Sequence, residues 1–189
     1  MTTATLTERR LVTQGNPDSP FPTPTAGKLE GVDFLPADDL EKVGRALIKA
    51  HEELRHLKGV EITYLWKEKG GNKGGKATLG KCVLASGLVA HFSKATFVVW
   101  LGAENVREAK LSNWQVEALL HHELAHAVVD DGDDGPEYSV RSHDFEGFTS
   151  EVRRYGLWKR DLEGMARTAQ LHLPGLQSEG EVVDLAGRR

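Results

Sequence analysis

The sequence predicts an α+β fold, a single domain in which helices pack on a small mixed sheet, and three observations carry that expectation. An apolar stripe at helical spacing runs from Leu40 to Leu57. Two strands follow, one marked by alternation over Val60–Trp66 and one by an unbroken apolar run over Ala95–Leu101. A capped helical segment then begins at Ser112 and leads into closely spaced histidines, with a further helix expected behind it.

Taken in order, five of the seven prolines (Pro17, Pro20, Pro22, Pro24, Pro36) lie in the first 36 residues among threonines. Such a stretch buries too little apolar surface to offset its ordering entropy, so residues 1–32 are expected to be a flexible arm ahead of a domain over 33–173. In the first helix Leu40, Val43, Leu47, Ala50, Leu54 and Leu57 share a face, with Asp38 or Asp39 as cap and Gly59 as stop. Val60, Ile62, Tyr64 and Trp66 alternate with Glu61 and Thr63 as in a half-buried strand, while residues 82–92 give no settled pattern. Ser112 and Gln115 form a capping box for a helix that Leu119, Leu120, Leu124 and Val128 extend to near Asp130. The next helix is expected to start near Ser142–Asp144 and to pack through Phe145, Phe148, Val152 and Tyr155, with another after Gly156 through Leu171. Residues 174–189 mix breakers and charges and read as a loose tail.

Composition narrows the function. Lys and Arg total 24 against 28 acidic residues, so no global charge demands nucleic acid or membrane as partner. The single cysteine, Cys82, excludes an internal disulfide and a thiolate zinc cluster, which suits a reducing compartment. No segment approaches the roughly 18 apolar residues of a membrane span, and the expected location is the cytoplasm.

The chemistry lies in His122-Glu123-Leu124-Ala125-His126. Residues four apart on a helix share a face, so both imidazoles can converge on one tetrahedral zinc ion, while Glu123 projects beside the open coordination position as general base. Water acidified towards a pKa of ~7 could then attack an amide. His121 points about 100° away from His122 and reads as a core or surface residue. A catalytic zinc usually takes a third protein ligand, and two candidates follow, His143 and Glu146. The glycine and histidine of the longer HExxHxxGxxH pattern are replaced by Val129 and Gly132.

The stretches Ala118–Ala127, His143–Phe148 and Glu151–Trp158 resemble the metallopeptidases encoded by bacteriophages, over about Leu29 to Trp158. At the site they are similar to SprT-like and Spartan-type proteases, zincins in which a second helix supplies a third histidine. The resemblance implies a zincin-like domain, a zinc cofactor, a protein or peptide substrate, the host cytoplasm as location, and His143 as third ligand on a following helix. Asp144 and Gly147 depart from the usual residues at that helix start. Asp144, Glu151 and Tyr155 are expected either to orient a ligand or to be ordinary solvated and packing residues, and His51 and His91 read as packing or surface histidines. The buried Ala95–Leu101 strand is expected to offer an edge to an extended peptide.

Two further patterns read as blander features. Asp130–Gly135 opens like a calcium loop, yet Arg141 stands where the twelfth-position glutamate belongs, so a solvated turn is expected. Gly70–Lys76 satisfies GxxxxGK, but Ala77 lacks the hydroxyl that holds magnesium. Over 67–81 five lysines face one glutamate, Glu68, a basic hairpin tip that could dock DNA or an acidic partner. The competing function is therefore a non-catalytic, metal-stabilised nucleic-acid-binding module. Glu123 separates the two, because metal binding alone needs no general base.

Overall fold

The computed structural model describes residues 32–145, 149–158 and 160–170, and the chain divides into two compact units, one running to Arg141 and one from Ser142. Apart from Val32, the predicted arm lies outside the described residues, as does the tail.

The first unit is a mixed sheet with helices against it. Strands β1 (Phe34–Pro36), β2 (Ile62–Lys67), β5 (Gly80–Leu84) and β6 (Phe97–Gly102) form the sheet in the order β1-β2-β6-β5. The pair β2/β6 is parallel, whereas β1/β2 and β5/β6 are antiparallel. Every residue of β6 is buried, as its continuous apolar run predicts. Its central place overturns the expectation that it offers an edge, because β2 and β5 occupy both of its sides.

Helix α1 (Asp38–Ala50) and helix α4 (Asn113–Ala125) contact each other and the sheet. Leu40, Leu47, Phe97, Leu101, Leu120 and Leu124 are central to one shared core. The single long first helix does not form. It stops at His51, which is extended (φ −101°, ψ 126°), and the chain resumes as a 3-10 helix over Glu52–Leu57. Leu54 and Leu57 nevertheless stay buried, so the apolar pattern survives the break. The helix cap also differs: Ala37 is the N-cap, and Asp39 instead accepts the Trp66 indole N–H at 3.0 and 3.1 Å. Burial raises the pKa of Asp39, partly offset by that hydrogen bond.

The segment without settled pattern contains β5 and a short helix, α2 (Gly87–Ser93). Helix α3 (Ala103–Glu108) follows β6. The GxxxxGK segment is a hairpin, β3 (Asn72–Lys73) and β4 (Lys76–Ala77), turning on Gly74 (φ 59°) and Gly75 (φ 79°). No helix follows it, and the next element is strand β5, so the phosphate-loop geometry is absent. Asn105 fastens the hairpin base, donating from Nδ2 to the carbonyls of Gly71 and Thr78 at 2.9 Å each.

Helix α4 starts on the expected capping box, with the Ser112 Oγ accepting from the Gln115 amide and the Gln115 side chain accepting from Ser112 N–H. It ends earlier than expected, with His126 as C-cap. Val128 and Val129 belong instead to β7 (Ala127–Gly132), paired antiparallel with β8 (Gly135–Val140). Two β-branched residues followed by Asp-Asp-Gly-Asp-Asp-Gly favour a strand and tight turn over another helical turn. The acidic segment is thus an exposed hairpin tip, in line with the solvated turn read from sequence.

In the second unit residues 142–145 are irregular up to the undescribed 146–148, and helices α5 (Thr149–Tyr155) and α6 (Arg160–Gln170) follow. His143 therefore precedes the helix that was expected to carry it. Phe145 and Tyr155, expected as packing positions, are 48% and 67% exposed. Gly156 closes α5 with φ 69° and its N–H on the Val152 carbonyl at 2.9 Å. No described helix is long and apolar enough to cross a membrane.

Candidate metal centre

The two histidines of the motif sit on the last turn of α4 and on its cap, and their rings meet edge to face with centroids 4.9 Å apart. His126 is held from outside the helix. Its Nδ1 lies 2.8 Å from the Arg141 carbonyl oxygen, and because a carbonyl only accepts, Nδ1 carries the proton and the lone pair sits on Nε2. This is the tautomer an Nε2 metal ligand requires. Arg141 is itself anchored, with its N–H on the His126 carbonyl at 2.9 Å and its Nε on the Ala125 carbonyl at 2.7 Å. Strand β8 thus delivers Arg141 to the end of α4.

Glu123 lies under β5 and is only 5% exposed. Burial pushes its pKa up to about 7, opposed by the nearby His126 and by a hydrogen bond from the Cys82 backbone N–H. The Cys82 thiol is pushed up to about 12, chiefly by burial and then by Glu123, so it is no thiolate ligand. The approach of strand to helix depends on Gly80. A Cβ there would stand 2.7 Å from the Leu101 Cδ2 and 2.9 Å from the Glu123 Oε1. Gly80, Cys82 and Arg141 were not identified from sequence. Their contribution is backbone and space, which side-chain motifs do not reveal.

The structure therefore brings His122, Glu123 and His126 together in the first unit. His143 is exposed in the second unit, Glu146 lies outside the described residues, and the side chain of Glu151 is likewise undescribed. Asp144 and Tyr155 are exposed, as is His91 on α2. His51 and His121 are half-buried and lie against each other and against Glu53. The residues present fit a metal ion: two adjacent imidazoles, one with its ligand tautomer fixed, beside a buried carboxylate.

An α+β domain whose helix ends in this pair of imidazoles and carboxylate is a candidate metal-binding domain of the hydrolase type. Residues 32–170 match the family model described as "Putative phage metallopeptidase", and the chain belongs to that family. Neither a curated protein nor a solved structure matches the chain.

Proposed function

We propose that the protein is a zinc-dependent peptidase with His122, His126 and His143 as metal ligands and Glu123 as general base. The observation that carries this reading is Glu123, a carboxylate kept buried beside two imidazoles at a position where stability alone favours an apolar residue. His143 fits as third donor by connectivity. It follows Arg141 by two residues, and Arg141 is tied to His126, so the Cα of His143 stays within about 7.6 Å of that of Arg141.

When bound, the ion supplies Lewis acidity that brings a water molecule's pKa towards ~7 and polarises the substrate carbonyl. Glu123 takes the proton of the attacking water and hands it to the departing amine as the amide C–N bond breaks. The Cys82 N–H orients the carboxylate, and Arg141 orients His126. With β6 enclosed, β5 is the outer strand on the Glu123 side of the sheet, and it is the strand we assign to an extended peptide substrate. The lysines of residues 67–81 are proposed to dock DNA or an acidic protein.

Glu123→Gln tests the reading directly. The variant should retain its metal and lose cleavage of a casein-like substrate by at least about 100-fold, the usual scale of a general base. Cleavage at the parent rate by a metal-loaded variant would remove Glu123 from the mechanism.

A further inference from the structure

A second set of metal-ligand side chains lies in the first unit on residues the proposed peptidase does not use. His51 is the C-cap of α1, Glu53 belongs to the 3-10 helix, and His121 lies on α4. Their donor atoms all fall within 4.8 Å of one another. One carboxylate oxygen serves both rings: the Glu53 Oε1 is 3.3 Å from the His121 Nε2 and 3.7 Å from the His51 Nδ1. The two imidazoles meet edge to face at 4.9 Å. His121 and His122 are consecutive, so their side chains leave the helix about 100° apart and serve different sites.

Two features set this cluster apart from a surface ion pair. The first is spacing. The 3.3 Å contact of Glu53 with His121 is a hydrogen bond at its long limit, whereas the 3.7 Å contact with His51 lies beyond hydrogen-bond range. Donors around a tetrahedral ion at about 2.0–2.1 Å stand about 3.3–3.4 Å apart, a separation that the His121 contact matches and the His51 contact slightly exceeds. The second is the break in the first helix. The apolar stripe continues through Leu47, Leu54 and Leu57 with no glycine or proline between Arg45 and Leu57, yet the helix opens at His51. That opening turns His51 and Glu53 towards His121.

We propose that His51, Glu53 and His121 form a second metal site, an accessory one that takes a divalent transition ion of the zinc class and pins the end of α1 and the 3-10 helix to α4. Two imidazoles and one carboxylate are a donor set for zinc, cobalt(II) or manganese(II), with water completing the shell. The side chains of His51 and His121 are 28% and 29% exposed, open enough for an ion to enter yet held by packing. A groove of about 420 Å³ that Glu53 lines together with His56, Val129 and Arg141 adjoins the cluster on its Glu53 side.

The experiment counts metal on the full chain, loaded with zinc at neutral pH and dialysed, by elemental analysis, with cobalt(II) absorption as a second readout. The parent should hold two equivalents, and His51→Ala/Glu53→Gln should hold one. Its affinity at the lost site should fall by more than about 100-fold, beyond the 10–100-fold cost of losing an outer-shell partner. The milder Glu53→Gln, at a largely exposed position, should show the same loss if the double variant folds poorly. Melting in chelator should differ little between parent and Glu53→Gln, because the metal-free contacts of this 60% exposed carboxylate are worth little. His122→Ala/His126→Ala should also retain one equivalent, now at the accessory site. An unchanged count and affinity in both His51→Ala/Glu53→Gln and Glu53→Gln would overturn the proposal and leave Glu53 as a bridge between two rings. An unchanged count in His122→Ala/His126→Ala would instead overturn the metal centre of the peptidase, so the two failures are distinguishable.

Discussion

At the scale of single residues, the side chain the chemistry needs is one the fold pays for. Glu123 has a folded pKa of about 7 against an ordinary 4.5 because burial disfavours its charged form. The folded metal-free protein therefore binds this proton more tightly than the unfolded chain. Its stabilising effect is complete below pH 4.5 and is lost as pH rises through 7. Metal-free Glu123→Gln should consequently outlast the metal-free parent in urea at pH 8, by on the order of 3 kcal/mol, with the gap closing by pH 4. Equal stability at both pH values would show that the carboxylate is solvated. The third ligand is also a residue-scale question. His143→Ala should lower zinc occupancy in chelator competition far more than Glu146→Ala, and the reverse order would move the site to the carboxylate class. Sequence shows the motif residues because their types and spacing are the signal. It hides Gly80 and the Cys82 amide, since a close approach and a backbone donor depend on how β5 crosses α4.

Among the elements, periodicity served best where one face is buried. The alternation of β2, the apolar run of β6 and the capping box of α4 all lead to observed elements. Boundaries failed where tertiary pairing competes with helix propensity: α1 opens at His51, and α4 gives way to β7 once Val128 and Val129 can pair with β8. The β3/β4 hairpin was legible through its glycines, whose positive φ values build the turn. It leaves Lys69, Lys73, Lys76 and Lys81 exposed in or beside it. If this face docks on DNA, replacing Lys73, Lys76 and Lys81 with alanine should reduce the slope of log affinity against log salt by roughly 2 to 3. The same variant should cleave a short uncharged peptide at the parent rate. Binding of labelled DNA with a slope unchanged by the substitutions would assign the contact to another surface.

For the molecule as a whole, the α+β class and the mixed sheet were readable because they follow from local patterns, whereas the division at Arg141 was not, because it depends on where long-range contacts thin out. A metal ion that binds only the folded chain adds stability by mass action, about 4 kcal/mol at 1,000 times its Kd. Chelator should then lower the Tm by roughly 8–16 °C, and added zinc should restore it in proportion to the logarithm of its concentration. A Tm indifferent to both would mean that the folded chain has no tight metal site. The fastening of His126 by Arg141 also bears on how such a chain tolerates insertions and deletions. The two residues are 15 apart and joined through the β7/β8 ladder. The intervening length is thus metered: an insertion at the Asp133-Asp134 tip extends the ribbon outward and leaves the clasp intact. A single residue gained or lost within either strand shifts the register, turns alternate side chains over and carries the Arg141 carbonyl away from the ring it steadies.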